Sequence, residues 1–390
     1  MATAVYPYVQ YSGMWTKQAQ MQAVAAGTWP NGFVIGLYSW GRNSNYGQLG
    51  LGNLTNYSSP KQVGSLVNWS NVSCGTGNTL ATKTDGTLWS WGLNNVGQLG
   101  LGNTTNYSSP KQVGALTTWS KIASGDAQSV GIKTDGTLWS WGANDLGQLG
   151  LGNTTYYSSP KQVGALTTWS KITGGGSFTV ATKTDGTLWS WGKNTTGQLG
   201  LGTSGVGTDK SSPNQIGALT DWLNISCGRS SAFCMATKTN GTLWAWGTNA
   251  VGQLGLGNLT SYSNPKQVGS LTNWLNIASG DTYIIATKTD GTLWSWGANA
   301  QGQLGLGNIT TYSSPKQVGS LTTWSSTAVG YQCSLAIKAN GTLWAWGNNL
   351  VGSLGLGNIT YYSSPKQVGS LTTWSKISGG TYFSIALAIT

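Results

Sequence analysis

Short runs that alternate apolar with small or polar residues recur along the chain, separated by turns. In one unit such runs cover residues 122–125, 129–133 and 138–141, and an Asp-Gly pair precedes the third run. Asp-Gly between alternating runs is typical of a tight β-hairpin. A fourth run, 160–163, begins with proline, which is tolerated at a sheet edge where fewer donors are needed. Each unit therefore predicts four short antiparallel strands and no helix.

The unit repeats seven times, and a Trp-Gly pair marks each copy. The pairs begin at Trp40, Trp91, Trp141, Trp191, Trp246, Trp296 and Trp346. They follow one another every 50 or 51 residues, with a single interval of 55. A fixed period of this length indicates a repeat architecture. Four strands in each of seven units predict an all-β, seven-bladed β-propeller with four-stranded blades.

The two ends of the chain complement each other. The last unit stops after 384–389 and lacks the Trp-Gly and proline strands, whereas the first unit has only those two, at 37–40 and 60–63. We therefore expect the N- and C-terminal strands to pair in one shared blade, which leaves no free edge at the closure. The predicted domains are a propeller over 33–390 and a separate N-terminal segment over 1–32, with a short helix at 16–26 between a capping Thr16 and Gly27.

Composition narrows the partners and the chemistry. Only 7% of residues are charged, but 22 Trp supply a large core. The net charge of +11 comes from lysines spread evenly over the repeats, which indicates a solvated rim rather than the basic patch of a nucleic-acid-binding protein. No run approaches 18 apolar residues, so no membrane span is expected, and the N-terminus has no signal-peptide pattern.

The side chains that usually carry catalysis are scarce. The chain has no His, which removes the commonest general base and metal ligand. Its four Cys lack metal-binding spacing, and we expect free buried thiols; Cys227 and Cys234 are the one sequence-local pair. A glycosidase-like pair of carboxylates on one face is a weaker alternative. We therefore predict no enzymatic activity, no catalytic residue, no metal and no cofactor.

At this point the repeat resembles a known family. The series Trp-Gly-x-Asn-x-x-Gly-Gln-Leu-Gly-x-Gly, Pro-x-x-Val and Asp-Gly-x-Leu-Trp-Ser-Trp-Gly is similar to the regulator of chromosome condensation repeat, over about residues 33–390. That resemblance implies the propeller but not one activity, since the family includes exchange factors, a plant photoreceptor and a secreted inhibitor. The family's frequent His, acidic partner face and Gly-Trp-Arg-His-Thr cluster are missing here. Guanine-nucleotide exchange is therefore not expected.

The copies differ mainly on one face. Because strands in a blade alternate in direction, the first-to-second and third-to-fourth loops must share a face, opposite the monotonous Asp-Gly turns. Loops on a rigid scaffold can vary without disturbing the core, so we place ligand binding on the variable face. The candidate binding residues are Arg42, Tyr46, Asp126, Gln128, Phe178, Lys193, Asp209, Lys210, Arg229, Phe233, Tyr283, Tyr331 and Tyr382.

Two insertions produce the one long interval. The loop 203–210 is three residues longer than its counterparts, and the loop around 228–233 is two longer. Both belong to the variable face and to neighbouring units. We expect them to form a raised lump that is part of a binding site; drift in exposed loops is the alternative.

The N-terminal segment has its own pattern. Ser-Gly-x-Trp, a Gln/Ala-rich helix and Gly-Thr-Trp-Pro follow one another and resemble a short element in structural proteins of tailed bacteriophages. On that resemblance Trp15, Met21 and Trp29 are expected to dock the protein to other virion proteins; a helix that only caps the propeller is the alternative.

The functional hypothesis joins the two parts. It is a bacteriophage virion structural protein, tail or fibre associated, that binds a host surface glycan or protein through the variable face. A capsid decoration protein is one alternative. A free propeller, secreted or on a cell surface and acting as a binder or inhibitor, is another.

Overall fold

Twenty-eight strands and no helix make up the described part of the chain, residues 34–229 and 231–389 of a computed structural model. The strands form seven four-stranded antiparallel sheets, the blades of a propeller. The predicted all-β architecture is confirmed. The expected helix at 16–26 and the docking residues Trp15, Met21 and Trp29 lie outside the described residues.

We number the blades so that blade 7 contains both chain ends, and in each blade the strands run from the central channel outward. The bounds are β3 Trp69–Cys74, β4 Asn78–Lys83, β5 Leu88–Gly92 and β6 Tyr107–Gln112 in blade 1; β7 Trp119–Ser124, β8 Gln128–Lys133, β9 Leu138–Gly142 and β10 Tyr157–Gln162 in blade 2; β11 Trp169–Gly174, β12 Phe178–Lys183, β13 Leu188–Gly192 and β14 Lys210–Gln215 in blade 3; and β15 Trp222–Cys227, β16 Phe233–Lys238, β17 Leu243–Gly247 and β18 Tyr262–Gln267 in blade 4. They continue with β19 Trp274–Ser279, β20 Tyr283–Lys288, β21 Leu293–Gly297 and β22 Tyr312–Gln317 in blade 5; β23 Trp324–Val329, β24 Cys333–Lys338, β25 Leu343–Gly347 and β26 Tyr362–Gln367 in blade 6; and β27 Trp374–Gly379, β28 Phe383–Ile389, β1 Ile35–Gly41 and β2 Tyr57–Gln62 in blade 7.

The ring closes within blade 7. Strand β28, from the C-terminal end, pairs antiparallel with β1, from the N-terminal end, in unbroken register from Ile35 opposite Ile389 to Gly41 opposite Phe383. The predicted closure is confirmed. Main-chain hydrogen bonds thus join the two ends of the chain, and the closing blade presents no unpaired internal edge.

Adjacent blades are held together by one repeated contact. The indole of Trp91 is fully buried, and its Nε1–H donates to the main-chain oxygen of Gln48 in the preceding blade at 2.9 Å. Gly50, two residues further on, has a φ of +73°, and a Cβ there would lie 2.7 Å from the same Nε1, so only glycine fits. The indoles in the same position of the other six blades donate to an equivalent oxygen: Trp40, Trp141, Trp191, Trp246, Trp296 and Trp346.

Main-chain contacts confirm the predicted assignment of loops to faces. The N–H of Trp169 donates to the oxygen of Gly136 at 3.2 Å, which places the linker beside the Asp-Gly turn on what we call the linker face. The N–H of Lys193 donates to the oxygen of Ser177 at 2.9 Å, which joins a third-to-fourth loop to a first-to-second loop on the variable face. The inner strands surround a channel between the two faces.

The cysteines divide into two kinds. Cys227 and Cys234 form a disulfide, whereas Cys74 and Cys333 are free and buried. The expectation of four free thiols is therefore wrong for one pair. The reason is register: Cys227 lies directly opposite Cys234 in the pairing of β15 with β16, across the loop that carries the two-residue insertion.

Candidate binding face

Four of the predicted binding residues are core residues. They are Gln128, Phe178, Phe233 and Tyr283, each 0–1% exposed. Each begins the second strand of its blade and points between blades, where it is inaccessible to a ligand in this structure. Gln128 Nε2 donates to the main-chain oxygens of Gly175 and Phe178 in blade 3, both at 3.1 Å. The Tyr283 hydroxyl similarly donates to the oxygen of Cys333 in blade 6 at 2.6 Å. The burial of these four side chains contradicts their prediction as ligand contacts.

Arg229 points inward rather than outward. Its guanidinium donates to the main-chain oxygens of Cys74 at 2.6 Å, Gly75 at 3.3 Å and Gly379 at 3.0 Å. These acceptors belong to blades 1 and 7, on the opposite side of the ring from blade 4. The side chain of Arg229 therefore does not project from the variable face, because it spans the channel and finds its partners across it.

Two carboxyl groups accompany Arg229 at this end of the channel. Thr76 Oγ1 donates to Asp126 Oδ1 at 2.9 Å. Burial raises the pKa of Asp126 to about 6; nearby Arg229 lowers it and Asp281 raises it. Asp281 is itself only 8% exposed. The two carboxyl groups thus offset the charge of Arg229 at this end of the channel.

The other insertion does project. The side chain of Val206 is fully exposed, and nothing lies within 4 Å of the Cβ positions of Gly205 and Gly207. The base of this loop is fixed by Asp209, whose Oδ1 accepts the N–H of Asn194 at 2.7 Å. Lys193 and Lys210 flank this base and are half-buried, and Lys210 begins β14.

Three aromatic rings and an arginine gather at blades 6 and 7. The rings of Tyr331 and Tyr382 have centroids 5.0 Å apart, and the N–H of Arg42 donates to the oxygen of Tyr382 at 2.8 Å. Burial and Tyr331 raise the pKa of Tyr382, which Arg42 lowers and Tyr361 raises. Tyr361 is 40% exposed. It is not among the residues predicted from the sequence, because the equivalent position in other units is occupied by Tyr156 or by residues such as Asn and Thr. We call Arg42, Tyr331, Tyr361 and Tyr382 the tyrosine patch.

Tyr46 extends this surface toward blade 1. Its ring packs where Gly77 has no side chain, since a Cβ there would approach Tyr46 Cδ2 to 2.9 Å and the Cβ of Leu93 to 3.2 Å. The aromatic surface therefore continues from blade 6 over blade 7 to the edge of blade 1.

The described residues contain no group of three or more His, Cys, Asp or Glu placed to hold a metal ion. In the same part of the chain no helix has the length and apolarity needed to cross a membrane.

Comparison with known families identifies the repeat. The model of the RCC1-like domain matches residues 12–268 and 169–389, and the chain belongs to this family. A curated relative, the X-linked retinitis pigmentosa GTPase regulator homolog of Caenorhabditis elegans, is 41% identical over 61 residues. That match covers 15% of this chain and 4% of the relative's length.

Solved structures share the fold. Human WBSCR16 superposes with a TM-score of 0.80 at 21% identity, covering 92% of this chain and 99% of that one. Prp20p of Saccharomyces cerevisiae, whose structure was described with its binding to Gsp1p and histones, gives 0.80 at 21% identity over 91% of each chain. Yeast RCC1 (Prp20) in a crystal with Kap60 gives 0.81 at 19% identity, covering 100% of this chain and 97% of that one. At these identities the likeness shows the fold alone.

Proposed function

We propose that this RCC1-like propeller is a non-enzymatic binding protein that recognises a partner protein with the tyrosine patch of its variable face. The observation that carries the proposal is the patch itself. It combines three tyrosines and one of the chain's two arginines, Arg42, on partly exposed loops of two adjacent blades. Tyr and Arg are the residue types that dominate binding energy at protein interfaces.

The backbone of the patch supports the same proposal. Tyr382 has a φ of +66°, a left-handed conformation that costs a non-glycine residue energy and recurs at functional sites. The main chain on either side holds it: Arg42 donates to its oxygen, and the next residue, Phe383, is fully buried at the start of β28. The ring of Tyr382 is thereby presented to Tyr331 instead of turning into the core.

The comparisons support a protein partner in general terms. Prp20p was described with its binding to Gsp1p and histones, and in a crystal with Kap60. The virion setting, with a host surface glycan or protein as ligand, stays a prediction: it rests on the pattern within residues 1–32, outside the described part of the chain. The docking roles of Trp15, Met21 and Trp29 stay predictions with it.

Site-specific photo-crosslinking tests the proposal. A benzophenone amino acid is placed at Tyr331 or Tyr361, and at Leu116 of the linker face, which is exposed like Tyr361, as a control. The benzophenone-labelled protein is incubated with cell extract and with isolated cell-surface fractions of the source organism. We expect a discrete protein adduct from positions 331 and 361 that unlabelled protein competes away and the Tyr331→Ser, Tyr382→Ser variant does not.

Two results would contradict the proposal. Equal adducts from position 116 would show that the patch is not the contact surface. Binding of the protein to immobilised glycans, abolished by the same double substitution, with no protein adduct, would replace the protein partner by a sugar.

A further inference from the structure

The central channel holds a second, internal surface that differs between blades. A cavity of about 440 Å³ lies between the inner strands. Six inner strands line it with their third residue, and β23 adds the polar Thr327; the third residues are Asn71, Lys121, Lys171, Asn224, Asn276 and Ser326. Blade 7 has Lys376 at this position, and its Nζ donates to Asn71 Oδ1 at 2.6 Å. Three lysines therefore share one level of the channel.

These lysines have neutral partners. Lys171 Nζ donates to Asn224 Oδ1 at 2.6 Å, and Lys121 Nζ donates to the main-chain oxygen of Ser170. None of the described residues that line the cavity is acidic. Each ammonium has three donors, so further N–H groups remain for a ligand. Burial lowers the pKa of Lys171, and the like charge of Lys121 lowers it further.

The hydrogen bond between neighbouring blades at this level does not require the positive charge of a lysine. Asn224 Nδ2 donates to the oxygen of Leu275 in the next blade at 3.0 Å, and Asn276 Nδ2 donates to that of Ser325 at 3.2 Å. Asn71 makes the same contact with Ser120. A neutral amide thus makes the inter-blade bond that Lys121 makes with Ser170. A lysine adds like-charge repulsion to that bond, and a bound anion would remove the repulsion.

One end of the channel is crossed by an arginine side chain. Arg229 crosses it at the sixth residue of the inner strands, where its partners are the oxygens of Cys74 and Gly379. Asp126 and Asp281 surround Arg229 and offset its charge at this end. The uncompensated positive charge therefore lies at the lysine level, nearer the linker face, where Lys121 and Lys376 are exposed to solvent.

We propose that the channel is a binding site for one phosphate group, either inorganic phosphate or the phosphate of a small ester, reached from the linker face. Lys121, Lys171 and Lys376 supply the positive charge, and the amides on the opposite side supply polar contacts to the rest of an ester. A cavity of this size falls within the range of small-molecule sites. This site is independent of the tyrosine patch.

Calorimetry and thermal melting with sodium phosphate test the site, with sodium chloride at equal ionic strength as reference. The test variant Lys121→Asn, Lys171→Asn, Lys376→Asn copies the residue already present in blades 1, 4 and 5 and so keeps a donor for the inter-blade bonds. The control, Lys111→Asn, Lys161→Asn, Lys316→Asn, removes the same charge from exposed outer strands. We expect one phosphate per chain, with affinity lowered at least tenfold in the channel variant and unchanged in the control.

Glucose 6-phosphate distinguishes the two sources of the phosphate group. Tighter binding than inorganic phosphate assigns an ester to the site, and equal binding assigns free phosphate. No saturable binding of either probe to the unaltered protein, or equal losses in the two variants, would overturn the proposal. Should the triple channel variant not fold, Lys171→Asn alone is compared with Lys161→Asn, and the same results decide.

Discussion

The seven junctions between blades are alike, whereas the seven first-to-second loops, which surround the mouth of the channel on the variable face, all differ. Every junction uses one buried indole that donates to one main-chain oxygen, at 2.9–3.1 Å in all seven copies. No two loops at the mouth are alike: one sends Arg229 across the channel, another holds Tyr382 at positive φ, and a third places Asp126 against Thr76.

The difference shows how this chain separates stability from recognition. A junction repeated seven times secures the ring, so each loop is free to change without loss of the scaffold. Both arginines of the chain, Arg42 and Arg229, lie in loops where the copies disagree. Variants at the junctions and in the loops test how strictly stability and recognition are separated.

The largest effect is expected at a junction. Trp141→Ala removes a fully buried indole and its bond to the oxygen of Gln98, and we expect it to lower the free energy of unfolding by about 4 kcal/mol. Val206→Ser, at a fully exposed loop tip, should change it by less than about 0.5 kcal/mol. Urea unfolding followed by tryptophan fluorescence measures both. Similar losses in the two variants would contradict the division.

A smaller loss of stability is expected when the disulfide of one loop is removed. Replacing both Cys227 and Cys234 by Ser opens the short loop that carries Arg229, and we expect a loss of about 2 kcal/mol. Dithiothreitol should lower the melting temperature of the unaltered protein and leave that of the double variant unchanged. A response of equal size in the variant would show that the effect of dithiothreitol does not come from this disulfide.

Asp126 tests whether the charged side chains at the mouth of the channel stabilise the fold. Burial raises its pKa from 3.8 to about 6, so the ionised form is less stable in the folded chain than in the unfolded one. The destabilisation is absent below pH about 4, grows as the pH rises, and is complete above pH about 6. Asp126→Asn, which keeps an oxygen to accept from Thr76, should therefore stabilise the protein by about 1–2 kcal/mol at pH 7 and not at pH 4.

Melting temperatures of the two proteins between pH 4 and pH 8 check this sign. A variant that is less stable than the unaltered protein at pH 7 would show that attraction to Arg229 outweighs burial. Asp85→Asn is unsuitable as a control, because two hydrogen bonds from Thr87 lower the pKa of that carboxyl and make its own contribution to stability depend on pH. Asp145→Asn, on the outer loops, serves instead.

The sequence alone was sufficient to predict the blades, their closure and the two faces, because seven copies of one pattern constrain the same strands seven times. The site was less predictable. The sequence predicts Gln128 and Tyr283 as loop residues of the variable face, but each begins a strand. A shift of one residue in that boundary turns a side chain inward. The path of Arg229 depends on carbonyl oxygens about 150 residues away in sequence, which no local pattern records.

The smallest effect on stability is expected at Asn78, whose side chain is one methylene shorter than the glutamine in the same position of the next blade. Neither Oδ1 nor Nδ2 of fully buried Asn78 has a hydrogen-bond partner among the described residues, whereas the longer Gln128, in the same position of the next blade, reaches two oxygens of blade 3. Asn78→Gln should reach the matching oxygens of Gly125 and Gln128 and stabilise the protein by about 1 kcal/mol.

The reciprocal change, Gln128→Asn, should destabilise the protein by a similar or larger amount, because it leaves a buried amide and two carbonyl oxygens of blade 3 without their partner. Denaturant midpoints of the two variants test the pair. Opposite signs would show that even the residues nearest the variable face act through the junctions between blades. Equal losses would show instead that each blade is packed around its own side chain, and that the copies cannot be exchanged where they differ.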